Sequence, residues 1–281
     1  MIGPNGWPEL RRRGAEFGKA ARSSQGSSGR TGRAPGTGFG VLLLVLMLSV
    51  CARTHSREQP FNSQEARAEL QRRGIEFTPK AFVASAEEKL DTELIKIFLD
   101  AGIDPNARGD SGETALMHAA NSGNDAGVEL LLKSGARIAQ VDDKGQTALH
   151  WAAQGPFASK CVALLLDRGA DPNSRTRDGV TPLMQPVIVP FLGDLGESFH
   201  MQFVDTVKIL LDRGADVNAK TKDGGTTLMR AGIGGNTSIV KMLLERGADV
   251  KAINKDGKNA RYYADLYHHP EIAEMIAKAG G

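Results

Sequence analysis

The chain has 281 residues, of which 41% are apolar and 24% charged, a composition typical of a soluble globular protein of one or two domains. Its net charge of +2 divides unevenly, because residues 1–60 carry nine basic and three acidic side chains whereas residues 61–281 carry 26 basic and 30 acidic ones. This net acidic body argues against a duplex-binding surface, which needs clustered Lys and Arg, and two cysteines without a CxxC pair argue against a disulfide framework or a structural zinc site.

The first seventy-five residues contain no repeat of the kind found later in the chain. Residues 1–38 are rich in Gly, Arg and Ser and lack periodicity, so we expect a disordered basic leader. Residues 39–52 form an apolar run that, as a helix, spans about 21 Å, short of the ~30 Å hydrocarbon core but suited to a secretory signal peptide. Residues 53–75 are interpreted as a linker and the start of a cap on the folded domain.

The end of the apolar run also resembles a bacterial lipoprotein signal, in which a cysteine becomes lipid-modified after cleavage. Cys51 is the lipidation candidate, although Val50 departs from the Gly, Ala or Ser that precedes the cysteine in that family. Three alternatives stay open for residues 39–52. They are an export signal of a periplasmic or otherwise exported protein, a retained membrane anchor, or neither, since a wrongly assigned start would leave the protein in the cytoplasm.

The rest of the chain repeats with a period close to 33 residues. One set of glycines follows an apolar triplet and recurs at spacings of 33, 34, 45 and 33 residues, at Gly102, Gly135, Gly169, Gly214 and Gly247. A second set keeps the same spacings, at Gly112, Gly145, Gly179, Gly224 and Gly257. Two independent markers with one period predict a repeat solenoid.

Each repeat carries the signals for a tight turn followed by two helices. A glycine of the second set supplies the positive φ of the turn. A Thr two residues later is expected to cap the first helix, at Thr114, Thr147, Thr181 and Thr226. Small residues then allow the first helices to stack closely, Leu-rich second helices supply the core, and a glycine of the first set ends each second helix. Gly232, Gly234 and Gly235 are expected to make unit 221–253 less stable, at about 1 kcal/mol per mid-helix Gly.

This pattern resembles the ankyrin repeat, roughly D-x-x-G-x-T-P-L-H-x-A-A with a later L-L-L-x-x-G-A-D-V-N, over about residues 75–281. The resemblance implies an all-α solenoid of helix-turn-helix units with β-turn or hairpin loops. The family His appears only as His150, which we expect to bond to turn backbone rather than to act as a base or ligand. Within the repeat domain, 76–281, the units are 76–108 (N-terminal cap), 109–141, 142–175, 176–220, 221–253 and 254–281 (C-terminal cap).

The third complete unit contains about twelve extra residues. Leu183 of its first helix lies 26 residues before Ile209, against 14 or 15 in the preceding units, which places an insertion at about 186–203. Insertions in solenoids form loops on one face, often the binding face, so Phe191 and Leu192 are candidate partner anchors. The alternative is that the insertion folds back over the second helices as additional core.

The resemblance also implies that partners bind to the turn tips and to the concave side of the first helices. The tip candidates carry both charge signs and are Asp110, Ser111, Glu113, Asp143, Lys144, Gln146, Arg177, Asp178, Val180, Lys222 and Asp223. No phosphate-binding Gly loop, G-x-S-x-G elbow or H-E-x-x-H motif occurs, so we expect no catalytic residue, metal or cofactor. The leading hypothesis is a monomeric, non-catalytic scaffold that binds another protein and no nucleic acid. The alternative is an inhibitor or immunity-type partner of a secreted enzyme or toxin.

Overall fold

The computed structural model of the chain describes residues 62–87, 92–188 and 196–280. Within these ranges it is helical, and extended pairing is limited to two isolated bridges, Arg108 with Thr114 and Lys220 with Thr226. The described α-helices are α1 Ser63–Arg72, α2 Pro79–Ser85, α3 Thr92–Asp100, α4 Ala115–Ser122, α5 Asp125–Lys133, α6 Ala148–Gln154, α7 Ser159–Asp167, α8 Gly196–Asp212, α9 Thr227–Gly234, α10 Thr237–Glu245, α11 Ala260–Leu266 and α12 Pro270–Lys278. The predicted leader, apolar run and lipidation candidate Cys51 lie outside the described residues, as do Phe191 and Leu192.

The helices of the repeats form two stacked rows. The first helices of the units are α2, α4, α6, α9 and α11, and two 3-10 turns, Pro182–Met184 and Pro186–Ile188, take their place in unit 176–220. The second helices are α3, α5, α7, α8, α10 and α12. Each first helix packs against the first helix of the next unit, and each second helix against the next second helix. This arrangement confirms the predicted all-α repeat solenoid.

The second helices carry the core at the positions that the apolar triplets predict. The central residue of each triplet is completely buried, at Phe98, Leu131, Leu165, Leu210 and Leu243. The glycines that follow adopt positive φ as expected, at Gly102, Gly135, Gly169, Gly214 and Gly247. Each unit buries one apolar triplet and then reverses the direction of the chain at a glycine. The apolar and glycine markers therefore share one period.

Unit 176–220 departs from the expected helix pair because of its prolines. Pro186 has no N–H to donate, and in an α-helix its ring would collide with the carbonyl four residues earlier, so the first helix is replaced by the two 3-10 turns. The predicted cap at Thr181 is therefore wrong, and its buried hydroxyl has no hydrogen-bond partner among the described residues. Thr114 and Thr226 do cap their helices, accepting from Met117 N at 3.4 Å and Met229 N at 3.3 Å.

The N-terminal cap of the solenoid includes a helix within the range 53–75. Asn62 begins α1, and its side chain accepts from the amide of Glu65 at 2.9 Å while the Glu65 carboxylate accepts from the Asn62 amide at 3.4 Å. These two reciprocal hydrogen bonds provide acceptors for amides at the start of the helix that have no acceptor within the helix. The helix packs against α3 and buries Ala66 and Leu70. The apolar face of the first repeat is thereby covered.

Of the three glycines in and after α9, Gly232 alone lies mid-helix. Gly234 is the last residue of the helix, and Gly235 is its C-terminal cap with φ +78°. A Cβ on Gly232 would lie 2.8 Å from the carbonyl oxygen of Ala260 in α11. Gly232 therefore lets α9 and α11 approach closely. This close packing offsets the low helix propensity of glycine, and the sequence did not show it.

Candidate protein interface

Five tip loops project from the starts of the units and share one backbone geometry. We define them as residues 109–113, 142–146, 176–180, 221–225 and 254–258. In each loop the amide of the first residue donates to the carbonyl of the fifth, at 2.8 Å in the first loop and 2.9 to 3.0 Å in the other four. The predicted turn geometry is confirmed by positive φ at the fourth residue of each loop, at Gly112, Gly145, Gly179, Gly224 and Gly257.

The side chain at the first position braces most tip loops from inside. Asp142 Oδ1 accepts from Lys144 N at 2.9 Å and Gln146 N at 2.8 Å, and Asn254 does the same for the third and fifth residues of its own loop. The first loop begins with glycine, and there Glu113 Oε2 accepts from Ser111 N at 2.8 Å instead. Polar side chains in the tips are thus partly structural, as is usual for turns.

Consecutive tip loops hydrogen-bond to each other through their backbones. Asp143 N donates to Ser111 O at 3.0 Å, and the same bond recurs from Arg177 to Lys144 (3.0 Å), Lys222 to Asp178 (2.9 Å) and Lys255 to Asp223 (2.8 Å). We call this series the tip ladder. It joins all five loops into one pre-organised edge on which side chains of different units hold fixed spacings.

Gly145 shows why glycine is needed within the ladder. Its φ is +81°, and a Cβ would lie 2.9 Å from Arg177 N, the donor to Lys144 O. A side chain at this position would therefore be strained by its own backbone and would also push the neighbouring loop away. The repeated Gly is required both for the turn and for contact between units.

The structure brings the predicted tip residues together along this ladder. Eight of them are exposed: Asp110, Ser111, Asp143, Lys144, Arg177, Asp178, Lys222 and Asp223. Glu113, Gln146 and Val180 are only partly exposed, because each is the fifth residue of its loop, next to the first helix or 3-10 turn of its unit. The exposed set forms the candidate interface; its function remains a prediction.

A second row of side chains, which the sequence-based candidates missed, lies beside the tips. Each member stands nine residues after the first residue of its tip loop, and the row comprises His118, Trp151, Gln185, Arg230 and Tyr263. Two members bond directly to that first tip residue: Trp151 Nε1 donates to Asp142 Oδ2 at 3.0 Å, and Asn254 Nδ2 donates to the Tyr263 hydroxyl at 2.8 Å. The repeat period alone could have revealed this row, which we call the floor row.

The fifth tip loop was also missed, because its unit was treated only as a cap. Its sequence, Asn254-Lys-Asp-Gly-Lys258, is in register with the other loops, and Lys255 joins the tip ladder. Lys258 Nζ lies 4.1 Å from the centroid of the Tyr262 ring, a cation–π arrangement. The candidate interface therefore continues into the C-terminal cap.

His150 does not belong to the interface. It is completely buried, its Nδ1 accepts from Thr147 N at 3.2 Å, and its Nε2 lies 3.1 Å from Val180 O in the next tip loop. Burial lowers the pKa of His150 below its ordinary value, so the imidazole is neutral at pH 7. The bond to turn backbone is the structural role expected from the sequence.

Charge is distributed unevenly along the tip ladder. Residues 108–113 and 141–146 contain two cations and four carboxylates, whereas residues 175–180, 220–225 and 253–258 contain six cations and three carboxylates. The first two tip loops also form ion pairs, Lys80 with Asp110 at 2.6 Å and Arg108 with Asp143 at 3.5 Å. The mixture of signs seen in the sequence is thus ordered in space, from acidic at the N-terminal end to basic at the C-terminal end.

Other kinds of site are not formed by the described residues. No cluster of three or more His, Cys, Asp or Glu side chains in 62–87, 92–188 and 196–280 has a geometry that could hold a metal ion. None of the helices described in those ranges combines the length and apolar character needed to cross a bilayer. Cys161, in α7, is buried.

Comparison with known proteins finds a family model that matches the repeats. The family model described as "Ankyrin repeats (3 copies)" matches residues 82–176 and 199–281, more than half of the chain. Ankyrin repeat, SAM and basic leucine zipper domain-containing protein 1 of Colobus guereza is 42% identical over 98 residues, covering 34% of this chain and 20% of the relative. SH3 and multiple ankyrin repeat domains protein 1 of Homo sapiens is 41% identical over 102 residues, covering 35% of this chain and 5% of the relative. The chain thus spans a fifth or less of the length of these relatives.

Proposed function

The chain belongs to the ankyrin repeat family, and from that premise we propose that it is a non-catalytic scaffold that binds another protein through the tip ladder and the floor row. The observation that carries this proposal is the ladder itself, in which backbone bonds of 2.8 to 3.0 Å link five loops that expose side chains. A rigid edge loses little conformational entropy on binding, so its contacts translate efficiently into affinity.

Affinity capture followed by mass spectrometry tests this function. The bait is the full chain, compared with a variant in which three exposed tip residues are replaced, D143A/R177A/K222A. The matched control, E245A/K208A/K241A, removes one acid and two bases from exposed positions on second helices. We expect a protein retained by the wild type and the control but lost from the tip variant. Equal retention by both variants would place binding elsewhere, and no specific protein on the wild type would refute the scaffold function.

The same experiment distinguishes the two forms that the function can take. A scaffold retains its partner without altering the partner's activity. An inhibitor or immunity-type protein instead forms a tight one-to-one complex that abolishes the activity of a secreted enzyme or toxin. Assaying any captured enzyme with and without the purified chain decides between the two.

We further propose that the protein is exported or membrane-associated, in a bacterial envelope, through residues 39–52. The proposal rests on the apolar run and on the basic residues before it, which match the organisation of an export signal. Fractionation of cells that produce the full chain, with sequencing of the N-terminus of the mature protein, tests this address. An unprocessed protein found only in the cytoplasm would refute it, and a C51A variant that keeps its membrane attachment would exclude lipidation at that residue.

A further inference from the structure

The C-terminal half of the tip ladder carries cations that form no ion pair within the described part of the chain. We define the basic tips as residues 175–180, 220–225 and 253–258. Their six cations are Arg175, Arg177, Lys220, Lys222, Lys255 and Lys258. None of them forms an ion pair with a carboxylate of the described part of the chain; Arg175 donates to the carbonyl of Lys220 at 2.7 Å, and Lys258 lies over a tyrosine ring.

Three arginines at the ends of second helices are paired, in contrast to the cations of the basic tips. At the ends of the second helices, Arg168 contacts Glu129 at 3.3 Å and Arg246 contacts Asp212 at 2.5 Å, each reaching back to the preceding unit. Arg213 makes the equivalent ion pair with the carboxylate of Asp167. These three arginines have a carboxylate partner on the preceding unit, whereas the cations of the basic tips form no ion pair among the described residues.

Arg230 extends the basic surface into the floor row. Its side chain is partly buried beside the loop 221–225, where Asp223 is the charged group that interacts with it, yet its guanidinium makes no hydrogen bond or ion pair with any described residue. Burial lowers the pKa of Arg230, which reflects the loss of water around the charge. A guanidinium has five N–H donors in a planar fork that matches a carboxylate, so the unpaired Arg230 is suited to bind one.

We propose that the basic tips and Arg230 bind an extended acidic segment of a partner protein. This inference rests on the proposed scaffold function and specifies the chemistry of its partner. Adjacent helices pack about 8–10 Å apart, and an extended chain rises about 3.3 Å per residue. Carboxylates at every third residue of the segment therefore match consecutive tips, and a segment of about seven residues spans all three. At the second of the three units, the Arg230 guanidinium donates two parallel hydrogen bonds to a carboxylate of the segment.

The carboxylates of the basic tips favour a peptide over a nucleic acid. Each of the three loops contains one aspartate, Asp178, Asp223 or Asp256, between or beside its two cations. Hydrogen bonding from the Thr221 hydroxyl lowers the pKa of Asp223, so this group is ionised and repels a phosphate backbone that passes it. An acidic peptide avoids the repulsion by placing a neutral side chain there.

Fluorescence anisotropy with synthetic probes tests the proposal on the full chain. The probes are a labelled peptide with Glu at every third residue and Ser or Gly between, the same peptide with Lys in place of Glu, a peptide with its Glu residues clustered, and an oligodeoxythymidine of similar length. We expect the spaced Glu peptide to bind best, with an affinity that falls as NaCl is added. Stronger binding of the oligodeoxythymidine, or equal binding of the Lys peptide, would overturn the inference.

Two pairs of variants assign the binding to the basic tips. K222E/K255E reverses two tip cations, whereas K208E/K241E makes the same charge change at exposed positions on α8 and α10. We expect the first to weaken binding of the spaced Glu peptide roughly tenfold or more and the second to change it less than about threefold. R230K keeps the charge without the planar fork and is expected to weaken binding, with circular dichroism confirming an intact fold. Equal losses in K222E/K255E and K208E/K241E would refute the assignment.

The outcome also separates this inference from the scaffold function. If affinity capture shows a protein partner that K222E/K255E still binds at wild-type strength, the scaffold function stands and the acidic-segment proposal fails. If no protein partner is captured at all, the scaffold function fails independently of how the peptides behave.

Discussion

Replacing His150 with methionine probes how the units are joined. The Thr147 amide can only donate, so Nδ1 of His150 is the acceptor and Nε2 carries the proton that it donates to Val180 O. One imidazole therefore braces the start of α6 and ties unit 142–175 to the next tip loop. The equivalent residues of the other units are Met117, Met184, Met229 and Tyr262. Methionine therefore fits at this position of the repeat, and H150M introduces a side chain that the fold already accommodates.

The loss of stability expected for H150M follows from the two backbone groups that lose their hydrogen bonds to His150. Val180 O keeps the bond from Thr176 N at 2.9 Å, so only a second bond to this carbonyl is lost, worth about 1 kcal/mol. The buried Thr147 amide loses its acceptor altogether, which costs about 1–3 kcal/mol. The thioether compensates part of this through burial. We expect a net destabilisation of about 2 kcal/mol near pH 7.5.

The pH dependence of this difference has a definite sign. Burial is the main cause that lowers the pKa of His150 in the folded state. A depressed folded pKa means that the neutral imidazole contributes its full stability above the unfolded value of about 6.5 and loses it as the pH falls through the folded pKa. The gap between wild type and H150M should therefore shrink on acidification from pH 7.5 to 5.

Urea denaturation followed by far-UV circular dichroism at pH 7.5, 6 and 5 measures this. M117L, a volume-conserving change at a buried position without a side-chain hydrogen bond, is the control and should cost less than about 1.5 kcal/mol at every pH. A gap between wild type and H150M that widens at pH 5 would contradict the neutral, buried imidazole. An H150M protein as stable as wild type at pH 7.5 would show that the inter-unit bond is not needed.

Three further predictions test packing within the solenoid. G232A gains about 1 kcal/mol of helix propensity but brings a Cβ within 2.8 Å of Ala260 O, so we expect a net loss of roughly 1–2 kcal/mol in urea denaturation, and a stabilised variant would show that α9 and α11 separate freely. G145A, at φ +81°, should lower the stability by about 1–2 kcal/mol and speed hydrogen exchange of the Arg177 amide, whereas unchanged exchange would argue against contact between the loops. A double-mutant cycle of R246A and D212A should give a coupling below about 1 kcal/mol, because the two side chains are 39% and 47% exposed; a larger value would indicate a pair shielded from water.

The repeat architecture could be predicted from the sequence because its markers have local physical causes. Gly135 and Gly169 each end a helix in the left-handed conformation whatever their neighbours are. The need for glycine at these positions can therefore be recognised from the sequence alone. The buried Leu of each triplet likewise reflects the helix period alone. The division into first and second helices followed directly, as did the structural role of His150.

Other features depended on contacts between distant residues and were missed or wrong. The cap at Thr181 failed because Pro186, five residues later, prevents the α-helix that the cap would have started. The value of Gly232 is visible only once α11 lies against α9. The floor row was overlooked because each of its members looks like an ordinary helix residue until it is aligned with its own tip loop, as Trp151 is with Asp142.

The unequal spacing of the repeats bears on how the binding edge can extend across the solenoid. The 45-residue interval between Gly179 and Gly224 contains the insertion, yet the tip ladder crosses it with the same bond, Lys222 N to Asp178 O at 2.9 Å, as between units of 33 or 34 residues. Among the described residues, the unit with the insertion differs in its two 3-10 turns and in α8, which is lengthened to 17 residues. Because the ladder is unaffected there, the basic tips on either side of the insertion keep one register, and a single extended segment can contact all three of them.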